Sequence, residues 1–144
     1  APALAAERGL TSAVTTDPES PEYRNMISLR AALADGKFVT VDGTLVGIRK
    51  DEKIIAIDSF DLDLAPTENL LFLRYVDKPG VVGAVGNALG EAGINIAGMQ
   101  VARSSAGGSA LMAITVDSQI SDDLLSTVKK ETGAELVRSV TLVG

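Results

Sequence analysis

Two side chains in this sequence stand where they could recognise charge on a small molecule: Asp77, just ahead of Pro79-Gly80, and Asn95, just after Gly93. A carboxylate suits an ammonium group, and an amide side chain has donor and acceptor atoms, so Asn95 can bond an ammonium, a carboxylate or a hydroxyl. After Pro79-Gly80, the residues Val81, Val85, Leu89 and Ala92 fall on one face of a helix, with Pro79 expected in its first turn and Gly93 ending it. The amides at its start, near Gly80, Val81 and Val82, carry about half a positive charge and suit a ligand carboxylate. Together these groups can hold an α-amino-acid zwitterion. They also have plainer uses, since Asp77 can cap the helix and Asn95 can satisfy backbone at a strand start.

Other chemistries have little to work with. The sequence holds 0 His and 0 Cys, which removes the commonest zinc ligands, the usual general base and the best nucleophile. No catalytic residue and no metal site is expected. Glycines 80, 83, 86 and 90 never form Gly-x-Gly-x-x-Gly, and no Lys-Ser or Lys-Thr follows a glycine loop, so no cofactor site is expected in this chain. These glycines read instead as helix-packing positions. A formal net charge of −6 argues against nucleic acid, whose phosphates call for clustered Lys and Arg.

The elements that must position the candidate residues occupy two halves of the 144 residues, with the boundary near Ala65-Pro66-Thr67-Glu68. Residues 1–66 are β-rich. An Ala-rich helical turn over 2–8 ends at Gly9, a Pro, Ser and Asp loop covers 15–21, and strands are expected over 26–33, 38–46, 53–57 and 60–64. Asp35-Gly36 makes one hairpin turn, and alternation in the last strand puts Phe60, Leu62 and Leu64 on one face. Residues 67–144 read β-α-β-β-α-β: strands over 70–76, 94–104, 109–116 and 134–143, the helix after Gly80, and a second helix capped by Ser121. In that second helix Leu124, Leu125 and Val128 face inward and Gly133 is the stop. The fold class expected is α+β, with a ferredoxin-like four-stranded antiparallel sheet carrying both helices on one face.

Two known uses of this element order fail on residue type. An RNA-recognition module needs aromatics on its third strand, and 109–116 has none; a metal carrier needs a Cys pair. The second strand is expected at a sheet edge, where its unpaired backbone invites a second copy, so a homodimer is anticipated. Such pairing would bring Asn95 of one copy towards Asp77 of the other. No apolar run approaches the roughly 20 residues of a membrane-spanning helix, and the cytoplasm is the expected location. The absence of Met at position 1 suggests a fragment of something longer.

The stretch Tyr75-Val76-Asp77-Lys78-Pro79-Gly80-Val81-Val82-Gly83, followed by Leu89-Gly90-Glu91-Ala92-Gly93-Ile94-Asn95-Ile96-Ala97-Gly98-Met99-Gln100-Val101-Ala102-Arg103, resembles the ACT domain of 3-phosphoglycerate dehydrogenases. Upstream, Val41-Asp42-Gly43-Thr44-Leu45-Val46-Gly47 and its surroundings resemble the second half of the intervening, allosteric substrate-binding domain of the long-form enzymes. The resemblance implies a C-terminal regulatory region, 1–66 and 67–144 being its two parts, without the NAD-binding and catalytic domains of the parent oxidoreductase. It implies a serine site made by Tyr75, Asp77 and Asn95, although Tyr75 could equally just pack. It also implies an anionic effector of the upstream half. Arg24, Arg30, Lys37, Arg49, Lys50 and Lys53 are the available cations, and Lys53 stands at a family-like position, but Asp58, Asp61 and Asp63 follow where a basic pocket would want Arg or Lys. The regulatory region of an iron-sulfur L-serine dehydratase is similar in architecture, and a purely structural dimerisation module is a third reading.

Overall fold

The computed structural model describes residues 2–16 and 25–143, so Arg24 and most of the expected 15–21 loop lie outside the described residues. In chain order the elements are α1 (Pro2–Glu7), β1 (Met26–Ala32), β2 (Phe38–Val46), β3 (Asp51–Ile57), β4 (Phe60–Leu64), β5 (Asn69–Val76), α2 (Val81–Glu91), β6 (Ile96–Arg103), β7 (Ser109–Val116), α3 (Asp122–Thr132) and β8 (Leu136–Thr141). Strands β1 to β4 form one antiparallel meander, and the second sheet has the order β6-β7-β5-β8, also antiparallel. The second sheet with its two helices is the ferredoxin-like arrangement, joined to the β-only meander.

Alternation along β5 and β7 explains how the two halves meet. Leu71, Leu73 and Tyr75, with Ala110, Met112 and Ile114, face the helices and form one core with Val81, Val85, Leu89 and Val128. Their neighbours Leu70, Phe72, Leu111 and Ala113 point the other way, against Phe60, Leu62 and Leu64 of β4. The second sheet is therefore covered on both faces, which is why β5 and β7 read as nearly unbroken apolar runs instead of alternating ones. Each large apolar side chain so buried contributes about 1.5–3 kcal/mol. The amide of Gln100 on β6 also reaches across, accepting from the Asp63 N–H at 2.9 Å and donating to the Asp63 carbonyl.

The ends of the elements follow local chemistry. Gly93, at φ 71°, closes α2 in a Schellman motif: the Ile94 N–H donates to the Leu89 carbonyl at 2.9 Å and the Gly93 N–H to Gly90 at 3.0 Å. That motif uses Ile94 as part of the cap, so β6 begins at Ile96, two residues later than anticipated. Ser121 accepts from the Leu124 N–H at 3.3 Å, Asp122 and Asp123 occupy the first turn of α3, and Gly133 terminates it at φ 67°. The hydroxyl of Thr132 accepts from Ala134, which is buried in the core, so β8 starts only at Leu136.

Three expectations about α2 are corrected. Pro79 precedes the helix instead of lying in its first turn, because Gly80, in the left-handed region at φ 92°, turns the chain and serves as N-cap. Ala92 is exposed at the unwinding C-cap, and Ala88 takes its place in the buried stripe. Gly83, Gly86 and Gly90 are not packing glycines within this chain, since a Cβ added at any of them meets nothing within 4 Å.

Candidate functional site

Strand β5 delivers Tyr75 and Asp77 to one end of the second sheet. Tyr75 is opposite Ala110 on β7, and Ala110 is opposite Arg103 on β6, so Tyr75, Ala110 and Arg103 form one row across the sheet on its helix-covered side. Asp77 follows directly, its N–H donating to the Gly108 carbonyl at 2.8 Å in the β6–β7 turn. The nearest nitrogen of the Arg103 guanidinium, Nη1, lies 3.4 Å from Asp77 Oδ2; the Asp77 side chain is 19% exposed and that of Arg103 60%. The Tyr75 ring is buried, and its hydroxyl titrates above the usual 10.0. Burial is the main cause, the Asp77 charge adds to it, and the Arg103 charge offsets part of the rise.

Beside this cluster α2 starts with no side-chain cap: Asp77 makes no capping bond, and the Gly80 carbonyl accepts from Ala84 as the first helical link. The leading amides are left for water or an anion. Val81 is buried against the core, whereas Val82 is exposed beside those amides. Of the two plain roles considered for Asp77 and Tyr75, packing holds for the Tyr75 ring and helix capping does not hold for Asp77.

Asn95 is elsewhere. It precedes Ile96, which lies opposite Val116, itself opposite Asn69 at the start of β5, so within one chain Asn95 and Asp77 are at opposite ends of the sheet, roughly 25 Å apart by strand rise. Its Nδ2 donates to Asp117 Oδ2 at 2.8 Å, and its carbonyl accepts from the Asp117 N–H at 3.3 Å. The structure thus brings together Tyr75, Asp77, Gly80, Val81 and Val82, and leaves Asn95 on the far end of the edge strand β6.

Sequence reasoning passed over Arg103, although it closes the motif-bearing stretch. Its signal was positional: an Arg ending the strand whose antiparallel partner, through one intervening strand, is the Tyr75 row.

The upstream cations are dispersed and mostly engaged. Lys53 Nζ is 2.8 Å from Asp63 Oδ1 at the edge of an open depression lined by Lys50, Asp51, Glu52, Ala65 and Pro66. Arg30 stacks 3.9 Å from the Phe38 ring centre, and Lys37 pairs with Asp35 at 3.7 Å. Among the described residues no group of three or more His, Cys, Asp or Glu could hold a metal ion, and no helix is long and apolar enough to cross a membrane.

Comparison with known proteins falls on the same division. The ACT domain family model matches residues 69–133, from the first residue of β5 to the glycine that ends α3. The whole chain is similar to D-3-phosphoglycerate dehydrogenases: 37% identical over 142 residues to that of Mycobacterium leprae, covering 99% of this chain and 27% of the relative. The Mycobacterium tuberculosis enzyme is 38% identical over the same span, and that of Bacillus subtilis 34% over 140 residues, or 97% of this chain and 26% of the relative. The chain spans about a quarter of the length of these relatives. Residues 69–133 match the ACT domain family, in a chain that over 99% of its length is similar to D-3-phosphoglycerate dehydrogenases.

Proposed function

We propose that this chain is the C-terminal regulatory region of a D-3-phosphoglycerate dehydrogenase, and that it senses a small amino acid, L-serine, where β5 gives way to α2. The observation that carries the reading is Asp77, a largely shielded carboxylate beside the uncapped N-terminus of α2. An α-ammonium pairs with the first and an α-carboxylate with the second, at a spacing set by a single loop. The name of the relatives, D-3-phosphoglycerate dehydrogenase, supports a role in serine biosynthesis. The oxidoreductase step and its NAD site belong to the part of those enzymes that this chain does not span, so the chain alone is expected to be inactive and cytoplasmic.

A second copy completes the pocket. Strand β6 is an edge strand, and antiparallel pairing of two such edges centred on Met99 sets Asn95 of one copy level with Arg103 of the other. Asn95 then joins Tyr75 and Asp77 across the seam, and ligand binding becomes coupled to subunit arrangement. Residues 1–66 are the second half of an allosteric substrate-binding domain. Its exposed Ile27, Leu29, Phe38 and Ile48 are the kind of apolar surface that a missing half would cover. Lys53 is the candidate anion contact there, and an anion would have to displace Asp63 from it.

Thermal unfolding with each of the twenty amino acids, repeated on Asp77→Ala and Asn95→Ala, tests the reading. At 100 times its dissociation constant serine stabilises by about 2.7 kcal/mol, and both substitutions abolish the gain. If serine and glycine leave the midpoint unmoved, the chain is a pairing module and not a sensor.

A further inference from the structure

We infer that Arg103 is an exchange partner of the effector: its guanidinium pairs with Asp77, yields that carboxylate to an incoming α-ammonium, and passes to the α-carboxylate of the same amino acid. The inference deepens, and rests on, the reading of the β5–α2 junction as an amino-acid site.

The contact has the character of a placeholder. Arg103 reaches Asp77 with one nitrogen at 3.4 Å, whereas Lys53 meets Asp63 at 2.8 Å and Arg74 meets Asp58 at 2.9 Å. An ionised carboxylate offers about four acceptor positions, and one long contact leaves most of them unused on a group that is only 19% exposed. A compact ammonium with three donors can approach those positions more closely than the guanidinium does. Asp77 therefore favours an ammonium over the guanidinium that now reaches it.

Arg103 has somewhere to go. It is the last residue of an edge strand, is 60% exposed, and shares the row of Tyr75, so a change of side-chain rotamer keeps it beside the pocket. Its planar fork matches a carboxylate in two-point fashion. A zwitterion converts one long ion pair into two good ones without stranding a charge. An amine without a carboxylate takes Asp77 and leaves Arg103 unpartnered, while a hydroxy acid attracts Arg103 and leaves Asp77 bare. The ligand class selected is thus the free α-amino acid, and the same exchange releases the end of β6 from the loop that starts α2.

Calorimetry on the full chain with L-serine and ethanolamine, using Arg103→Gln and Arg103→Lys, tests this. Wild-type protein is expected to prefer serine strongly. In Arg103→Gln the serine affinity falls about tenfold, the loss of one charge-assisted contact, while ethanolamine binds as well or better; Arg103→Lys keeps most of the preference. An unchanged serine-to-ethanolamine ratio in Arg103→Gln, with serine binding still abolished by Asp77→Ala, overturns the role of Arg103 and leaves the amino-acid site standing. Failure of the wild-type chain to bind serine or any other α-amino acid overturns both.

Discussion

Arg74 Nη2 lies 2.9 Å from Asp58 Oδ2, so the strand that ends in the Asp77 cluster is tied to the turn between β3 and β4 of the other sheet. Asp58 is itself held in the left-handed region at φ 53°, its Oδ1 accepts from the Thr40 N–H at 3.0 Å, and its own N–H donates to the Thr40 carbonyl at 2.7 Å. One carboxylate therefore closes a hairpin turn and clamps the two sheets. The substitutions at this position should rank by what each preserves. Asn keeps the Thr40 bond and tolerates φ > 0, and is expected to cost about 1 kcal/mol. Ala loses both bonds and adds backbone strain, for roughly 2–3 kcal/mol, and Gly falls between them. Urea unfolding of the three variants checks the order. Asn proving as costly as Ala would show that only the charge matters.

The helix beside the site makes an independent test. Gly83, Gly86 and Gly90 lie on α2 with open space where a Cβ would go, and glycine inside a helix costs about 0.5–1 kcal/mol relative to alanine. Each Gly→Ala change is expected to stabilise the chain by about that amount when unfolding is followed at low protein concentration. Destabilisation that grows with concentration would instead place these glycines against a second copy.

Much of this arrangement is legible in the residues because its causes are local. Gly93 and Gly133 announce helix ends through their left-handed freedom, Ser121 through its hydroxyl, and Phe60, Leu62 and Leu64 announce one buried face through alternation alone. The clamps are not local. Arg74 meets Asp58 across 16 positions, Gln100 meets Asp63 across 37, and Arg103 meets Asp77 across 26, and no periodicity connects such pairs. The glycines misled for a related reason: whether a small residue is packed or open depends on which neighbour the fold brings, and here it brings none. Asn95 and Asp77 stand close in the sequence yet at opposite ends of the sheet, since one helix and a strand reversal separate them.

Tyr75 reports on the cluster through its own proton. The folded pKa lies above the ordinary tyrosine value of 10.0, so the folded state holds this proton more tightly than the unfolded chain does. The resulting stability is fully present below pH 10 and is lost as pH rises through the folded pKa, because only the unfolded state then releases the proton readily. Tyr75→Phe should remove that alkaline loss. Absorbance titration near 295 nm, with Tyr75→Phe as reference for Tyr23, should find the Tyr75 midpoint above 10.0, moving lower when an ammonium ligand neutralises Asp77 and higher in Arg103→Gln. A midpoint indifferent to both changes would mean that neither charge faces the hydroxyl.

The edge strand gives the last test. Val101 is 40% exposed on β6, next to no strand on its outer side. In an antiparallel β6–β6 seam centred on Met99, Val101 of one copy lies opposite Ala97 of the other, so a charge there is set against an apolar neighbour across the seam. Val101→Glu is therefore expected to convert a dimer into a monomer in light scattering while shifting the unfolding free energy of the isolated chain by under about 1 kcal/mol, because the side chain is already half in water. The dimer-to-monomer change must also weaken serine binding, since Asn95 is delivered to Asp77 only from the neighbouring copy. Full-strength serine binding by a Val101→Glu monomer would show that Asn95 plays no part in the pocket and that Asp77, Tyr75 and the first turn of α2 suffice.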